Sequence, residues 1–514
     1  MSCRRAYTPP ARQAGRALAG AGLTLVAAAC VLALDACAVG PNYHRPSVPP
    51  APGFKEGQGW APATPAQISG EEWWLVYDDP VLSSLEKQVA VSNQNLKAAV
   101  ASYYAAREAA GVTRGTLLPS IGLGGSGTRS GGSGSRSQAF SGLPVGVVQG
   151  GSGTRTLYDA NANASWDLDI WGKIRRQLES DLAQSQASAA DVAAARLSAQ
   201  AALAEDYFQL RAAEQELRLL KTSVQDYQVS LQIAQNRVNA GVTTLADVYS
   251  ARTLLENTQS QENTVELSRA KLEHAIAVLI GKAPAELALA EGQLAATVPV
   301  VPAGVPSQLL LRRPDIAASE RSLEGANARI GVAEAAWFPS LTLSGSYGYE
   351  SSSLSSLIRA SNSVWSFGPS LAETVFNGGA RLAQTREARA LYDSAVANYR
   401  QTVLTAFQQV EDDLATLRYL QTDYTQEQQA LADAERSEAL TLNQYKAGVA
   451  DYASVLSAQT ARLNTEISAL TVQNQRLVAS VDLIDAMGGG WDSAQLNERN
   501  DGVAESLKAT AAIP

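Results

Sequence analysis

Histidine and cysteine are scarce in this chain, and their scarcity excludes several kinds of active site. The 514 residues include two histidines, His44 and His274, and three cysteines. These residues do not stand at the spacings of a metal-binding motif, and no glycine-rich loop has the spacing that cradles phosphate. We therefore expect no enzyme activity, no catalytic residues, no metal site and no cofactor.

The chain also lacks a surplus of positive charge. It carries 41 Lys and Arg against 50 Asp and Glu, a formal net charge of −9, without a basic tail or patch. Binding of nucleic acid depends on clustered positive charge. We therefore expect no nucleic-acid partner.

Glycine and proline are missing from two long stretches. Residues 173–240 and 380–447 each run for 68 residues without either. Both stretches are rich in Ala, Gln, Leu, Glu and Arg, which favour helices. A helix of this length would measure about 100 Å, which is too long to pack around an ordinary compact core.

Glycines stand at both ends of each of these two long stretches. Each stretch is followed by a shorter one that also lacks Gly and Pro, at 242–280 and 449–487. The bracketing residues are Gly172, Gly241 and Gly281 in the first half and Gly379, Gly448 and Gly488 in the second. The two sets are 207 residues apart. We therefore predict a duplicated unit, in which Gly241 and Gly448 take the left-handed conformation that ends a helix.

The N-terminus predicts a secretion signal. Arginines in the first 16 residues precede an apolar run at 17–34, and residues 34–37 read Leu-Asp-Ala-Cys. This ending resembles the lipobox of bacterial lipoproteins, so we predict a signal peptide at 1–36 and acylation of Cys37. The alternatives are cleavage before Cys30 and retention of the run as a membrane anchor. Cleavage before Cys37 leaves one cysteine and excludes an intrachain disulfide.

Residues 37–72 are rich in proline and predict an extended, lipidated tether. We predict that Trp73 and Trp74 are packing residues. We also predict that Asp79, which precedes Pro80, is the N-cap of a helix that runs to about residue 118. A second copy of this helix begins near residue 312 and ends near residue 338. Here the offset between the copies is 220, as the Pro-Ser pairs at 119 and 339 show.

Alternation of apolar and polar residues predicts two pairs of strands. The strands fall at about 119–128 and 158–170 in the first copy, and at about 339–350 and 364–376 in the second. The polar positions of the second strand include Asn161, Asn163, Asp167 and Asp169.

These strands suit either a transmembrane barrel or a soluble sandwich. Four strands are too few to close a barrel, and open edges cannot face lipid. If the strands lie in a membrane, several chains must share one barrel, and three chains would supply twelve strands. We place the first repeat at 73–281, a linker at 282–311, the second repeat at 312–490 and a disordered tail at 491–514.

Several motifs resemble those of the TolC-like outer-membrane efflux proteins, in particular their lipoprotein branch. The motifs are residues 311–316 (LRRPDI), 326–328 (ANA), 330–332 (IGV), 338–341 (FPSL), the two glycine turns at 237–242 and 445–449, and residues 37–43 (CAVGPNY). The resemblance covers essentially all of residues 37–490.

The resemblance implies a mainly helical homotrimer in the outer membrane, extending into the periplasm. A twelve-strand β-barrel would continue into a twelve-helix α-barrel. It also implies an exit duct for drugs or other small toxic compounds, energised by an inner-membrane RND-type transporter through a periplasmic adaptor. The alternatives are a type I protein-secretion outlet and a structural lipoprotein that is not a channel.

The resemblance further implies roles for three groups of residues. The periplasmic gate would involve Asp247, Tyr445, Asp451, Ser454 and Ser457, although Asp451 has a helix cap as its alternative role. The adaptor would contact the turns through Arg237, Gly241, Val242, Lys446, Gly448 and Val449. The polar strand residues Asn161, Asn163, Asp167 and Asp169 would face the lumen.

Overall fold

We analysed the chain in a computed structural model that describes residues 38–48, 53–56, 72–131, 154–299 and 312–496. The predicted signal peptide, Cys37 and most of the predicted tail lie outside these residues. The described chain divides into two compact units. One holds residues 107–183 and 323–394 with the N-terminal residues up to His44, and the other holds the remaining residues.

The first unit contains a four-stranded antiparallel sheet. Its strands are β1 (Ser120–Gly131), β2 (Thr154–Leu168), β3 (Ser340–Ser351) and β4 (Ser363–Ala372). They pair in sequence order, so β1 and β4 form the two edges of the sheet among the described residues.

One face of the sheet is apolar and the other is polar. Leu123, Ala162, Tyr347 and Trp365 lie opposite one another across the four strands, whereas the next row on the other face contains Gly122, Asn163, Ser346 and Ser366. The apolar row is exposed at Leu123, Tyr347 and Trp365. The apolar face therefore does not form the core of a sandwich within the described chain.

Two predicted strands end earlier than expected. β2 stops at Leu168 because Ile170 N donates to Leu168 O at 2.8 Å, which turns the chain. β4 stops at Ala372, whose partner on β3 is Ser340. The next residue on that side is Pro339, which has no N–H to extend the ladder.

Four long helices follow the strands in two pairs. In the first half α3 (Lys173–Asn239) is followed by α4 (Leu245–Leu279). In the second half α6 (Ala380–Lys446) is followed by α7 (Tyr452–Ala486). α3 and α6 each have 67 residues, and α4 and α7 each have 35.

The predicted single helix after Pro80 is two helices, α1 (Pro80–Ser92) and α2 (Gln94–Gly115), and its counterpart is α5 (Pro314–Ala335). Asp79 caps α1 as predicted, accepting from Val81 N at 2.8 Å and Leu82 N at 3.0 Å. Asn93 interrupts the helix and separates α1 from α2. Its side chain accepts from Leu96 N at 3.0 Å and donates to Leu279 O at 2.9 Å.

The core of the second unit is apolar and includes Trp73 and Trp74, as predicted, with Leu82, Tyr207 and Phe208. A buried ion pair lies beside it, between Arg211 and Glu214 at 2.6 Å. Both partners also bind the linker backbone. Arg211 Nη1 donates to Ala290 O at 2.8 Å, and Glu214 Oε2 accepts from Gly292 N at 2.9 Å.

Parts of the segment predicted as a tether contact the rest of the chain, namely residues 39–42, Arg45 and residues 54–56. In the first unit, Arg176 donates to Val39 O, Gly40 O and Asn42 Oδ1 at 2.9–3.1 Å. A Cβ atom on Gly40 would lie 2.4 Å from Gly331 Cα, so this approach requires glycine.

The second unit holds the continuation of the same segment in a similar way. The guanidinium of Arg45 forms a bidentate ion pair with the Glu320 carboxylate. The Glu411 carboxylate accepts from the backbone N–H groups of Lys55 at 2.7 Å and Glu56 at 2.9 Å. A proline-rich composition predicts an extended chain, but it does not reveal these distant acceptors and donors.

Candidate functional site

The candidate site consists of the two turns that end α3 and α6. Gly241 has φ of 69° and Gly448 has φ of 78°, so both take the predicted left-handed conformation. Val242 N donates to Arg237 O and Val449 N donates to Gln444 O, each at 2.9 Å. These bonds, with the glycines, form Schellman caps that leave Val242 and Val449 exposed.

Arg237 joins the two turns. Its Nη1 donates to Tyr445 O at 2.6 Å, and its guanidinium carbon lies 4.3 Å from the centroid of the Tyr445 ring. The hydrogen bond gives a second donor to a carbonyl at the end of α6 that also accepts from Gly448 N at 3.0 Å, and the cation lies over the aromatic face. Arg237 therefore holds one turn against the other, in addition to any role in contacting a partner.

Tyr445 and Tyr452 form a small buried cluster with Ala251 and Val455. The two rings pack edge to face, with centroids 5.5 Å apart. Burial raises the pKa of Tyr445, opposed by the charge of Arg237 and reinforced by that of Asp247. Burial also raises the pKa of Tyr452 to about 12, so both phenols are neutral at physiological pH.

Asp247 and Tyr445, two of the predicted gate residues, do not hydrogen-bond to each other within the described chain. Asp247 accepts from Thr243 Oγ1 near the start of α4. The Tyr445 hydroxyl is buried and has no hydrogen-bond partner among the described residues. Asp247 nevertheless lies one helical turn before Ala251, which packs in the same cluster as Tyr445.

Asp451 caps α7. Its Oδ1 atom accepts from Ser454 N at 3.0 Å and from Ser454 Oγ at 2.5 Å. These bonds lower the pKa of Asp451, because they stabilise the ionised carboxylate. Asp451 and Ser454 thus bind each other, and the predicted site residues Ser457 and Lys446 are exposed.

The strand residues form a second group. Asn161, Asn163 and Asp167 lie on the polar face of the sheet, where Asp167 accepts from Thr342 Oγ1 at 2.6 Å. The prediction for Asp169 was wrong. It lies beyond the end of β2 and caps α3, accepting from Ile174 N and Arg175 N at 2.9 Å each.

Tyr452 and an acidic pair on the sheet were not predicted from the sequence. Tyr452 and Val455 are three residues apart, the spacing of one helical face, and this spacing could have identified the cluster. Asp159 lies opposite Glu350 on the polar face, which only the strand register reveals.

Two classes of feature are absent from the residues that the structure describes. No group of three or more His, Cys, Asp or Glu side chains is arranged to hold a metal ion there. Within the same residues, no helix has an apolar stretch long enough to cross a membrane.

Comparison with known proteins gives consistent matches over most of the chain. A profile described as outer membrane efflux protein matches residues 85–282 and 305–489. The outer membrane protein OprJ of Pseudomonas aeruginosa is 31% identical over 473 residues, covering 90% of this chain and 95% of that protein. The cation efflux system protein CusC of Escherichia coli is 29% identical over 466 residues, covering 90% of this chain and 98% of CusC.

Solved structures agree with these matches. The outer-membrane channel OprN superimposes with a TM-score of 0.81 at 29% identity, covering 88% of this chain and all of that one. The open state of the MtrE outer membrane channel of Neisseria gonorrhoeae gives a TM-score of 0.76 at 28% identity, covering 89% of this chain and 99% of that one.

Proposed function

The chain belongs to the outer membrane efflux protein family, and from this premise we propose that three copies of it form one closed exit duct. The protein is an outer-membrane efflux channel and not an enzyme. Channels of this kind work with periplasmic adaptors and inner-membrane transporters.

The open sheet is the observation that carries the trimer proposal. Its apolar face is exposed, and both edge strands lack a partner within the described chain. Unpaired backbone groups are too costly in lipid, so the edges must meet those of other copies. Three four-stranded sheets close a twelve-strand barrel, and three sets of four long helices supply a twelve-helix wall.

We also infer that the two halves of the chain are copies of one unit. The hydrogen bond from Asn93 to Leu279 O has a counterpart from Arg313 to Ala486 O, at 2.9 Å in each case. The donors are 220 residues apart and the acceptors 207, which are the two offsets of the sequence repeat. Each trimer would then present six similar units around its axis.

A lipid anchor on Cys37 would hold the protein to the outer membrane. This residue lies outside the described residues, so the proposal depends on its lipobox-like context. Residues 39–42 are hydrogen-bonded to the first unit, and an acyl chain on Cys37 would therefore be attached two residues from a fixed segment.

The glycine turns are the proposed docking site for the adaptor, which would connect the channel to an RND-type transporter. Support comes from the exposed Val242 and Val449 on adjacent turns. The pump would supply the energy, and drugs or other small toxic compounds would pass through the duct passively. OprJ and CusC are named as parts of the outer membrane or of an efflux system, which favours efflux over protein secretion.

Purified protein in detergent and in planar bilayers tests the duct. We expect a particle of three chains that forms a conducting pore. A monomer that stays in water after deletion of the anchor, or a trimer that does not conduct, would contradict the proposal.

The gate is tested by Tyr445→Ala, since removing this ring deletes its cation–π contact with Arg237 and its packing against Tyr452, while the hydrogen bond from Arg237 to the backbone carbonyl can remain. We expect higher single-channel conductance and shorter closed times than in the unmodified channel. Tyr249→Ala is the control, because Tyr249 is an exposed tyrosine of α4. Unchanged conductance in the Tyr445 variant would remove this residue from the gate.

A further inference from the structure

Strand pairing within the sheet repeats with two fixed offsets. Adding 220 to a β1 residue and 207 to its β2 partner gives a pair in the β3–β4 ladder. Ser120 opposite Ser165, for example, corresponds to Ser340 opposite Ala372. The hydrogen-bond register of the second hairpin therefore follows from that of the first.

The same offsets apply to the pairing between the two hairpins. Within one chain β2 pairs with β3, and Asn163 lies opposite Ser346. The counterpart of β2 is β4, and the counterpart of β3 is β1. Asn163 then corresponds to Ser370, and Ser346 corresponds to Ser126. One chain cannot form this pair, because β4 and β1 are the opposite edges of its sheet.

We propose that β4 of each copy pairs antiparallel with β1 of the next copy, in the register that places Ser370 opposite Ser126. The proposal rests on the trimer proposed above and adds the residue-by-residue pairing of its interface. Within the described strands the overlap covers residues 365–372 of one copy and 131–124 of its neighbour.

The faces of the two strands agree with this register. Trp365, Phe367 and Leu371 are exposed on the apolar face of β4, and Ile121 and Leu123 are exposed on the apolar face of β1. Pairing Ser370 with Ser126 keeps these apolar side chains on one side of the joined sheet. A slip of one residue would place the apolar side chains of one strand beside the polar side chains of the other.

Residues beyond the end of β4 also agree with the proposed register between β4 and β1 of the next copy. Leu168 lies opposite Leu341 in the β2–β3 pair, and the offsets convert this pair to Val375 opposite Ile121 of the next copy. In the single chain Val375 is 94% exposed and Ile121 is 77% exposed. Leu168 and Leu341 are both partly buried. We expect β4 to extend to Val375 in the assembly and to bury this pair.

Disulfide cross-linking distinguishes this register from its neighbours. Directly opposite residues of antiparallel strands have Cα atoms about 4.5–5.5 Å apart, which lies within the range of a disulfide. Diagonal neighbours are about 7–8 Å apart. The test variant combines Ser126→Cys with Ser370→Cys. Ser126→Cys with Gly368→Cys, and Thr128→Cys with Ser370→Cys, represent slips of two residues in either direction.

We expect the test variant to shift from a monomer band to a covalent trimer on a denaturing gel without reductant. Both slipped variants and all single-cysteine variants should remain monomeric on this gel. Each variant is first sized in detergent, which shows whether it assembles. If one slipped variant does not assemble, the other supplies the comparison.

Cross-linking by a slipped pair in place of the test pair would overturn the register, and so would an assembled trimer in which the test pair does not cross-link. Either result would leave the channel proposal intact. An unmodified protein that is monomeric in detergent would overturn the trimer itself. The two failures are therefore distinguishable.

Discussion

At the scale of single residues, Glu86 shows how strongly burial can change a carboxyl group. Glu86 is a buried residue of α1, and both of its carboxyl oxygens lack a hydrogen-bond partner among the described residues. Burial raises the pKa of Glu86 to about 9, because the charged form is poorly solvated there. The folded chain therefore holds this proton at neutral pH.

This proton makes stability depend on pH. The unfolded chain releases it near pH 4.5 and the folded chain near pH 9, so the free energy of unfolding falls as pH rises between these values. At pH 7 the cost is about 3 kcal/mol. We expect Glu86→Gln to recover that amount at pH 7 and to match the unmodified protein at pH 4, as measured by denaturant unfolding.

Glu286→Gln is the matched control, because Glu286 is exposed. It should leave the pH dependence unchanged. A Glu86→Gln variant whose stability varies with pH as much as that of the unmodified protein would show that Glu86 is ionised in the fold.

At the scale of elements, all four long helices end at a left-handed glycine but in different surroundings. Gly241 and Gly448 have open space around an added Cβ atom. At Gly281 a Cβ atom would lie 2.3 Å from Ser92 O, and at Gly488 it would lie 2.0 Å from Arg312 O. The first two positions require only the backbone conformation, whereas the other two also require close packing.

Alanine substitutions should separate these two requirements. We expect Gly241→Ala and Gly448→Ala each to cost about 1–2 kcal/mol, the penalty for a left-handed residue with a side chain. Gly281→Ala and Gly488→Ala should cost more, because the backbones of two segments must also move apart. Thermal unfolding in detergent measures the difference. Equal losses at all four positions would contradict the packing argument.

The second feature at this scale is the set of contacts that hold the N-terminal segment, residues 39–42, in the first unit. Arg176→Ala removes three hydrogen bonds to residues 39–42, and Gly331→Ala places a Cβ atom 2.8 Å from Val39 O. We expect either change to release this segment, so that chymotrypsin cleaves after Tyr43. Mass spectrometry would detect a new N-terminus at His44.

Gly111→Ala is the control for this release. Gly111 occupies the position on α2 that Gly331 occupies on α5, and its added Cβ atom would have only an ordinary contact at 3.7 Å. Cleavage after Tyr43 should not increase in that variant. Resistance of both test variants to cleavage would show that other contacts hold the segment in place.

At the scale of the whole molecule, the distribution of acidic side chains bears on ion preference. The chain has a net charge of −9, and the polar face of its sheet carries Asp159 opposite Glu350 as well as Asp167. In the proposed trimer each position would occur three times around a narrow pore. Rings of carboxylates favour cations.

We therefore expect reversal potentials under a salt gradient to show a weak preference for cations. Asp159→Asn combined with Glu350→Gln should reduce this preference, while Glu286→Gln outside the strands should not. Anion preference in the unmodified channel would contradict the lumen-facing assignment of this polar face.

The sequence by itself determined the features that depend on neighbouring residues. The lengths of α3 and α6, the glycines that end them, the cap at Asp79 and the alternation of the strands are all local patterns. Helix propensity, left-handed glycine and the two-residue period of a strand operate within a few residues. For this reason a single sequence is enough to recognise them.

Only the tertiary structure decided the features that need a partner far away in the chain. The end of β4 depends on Pro339, the position of the N-terminal segment depends on Arg176, and the tie between the turns depends on Arg237 reaching the carbonyl of Tyr445. Asp169 was misplaced because the polar alternation of a strand and the cap of a helix use the same residue type. The point at which the chain turns determines whether Asp169 continues the strand or caps the helix. That turn depends on packing between distant segments.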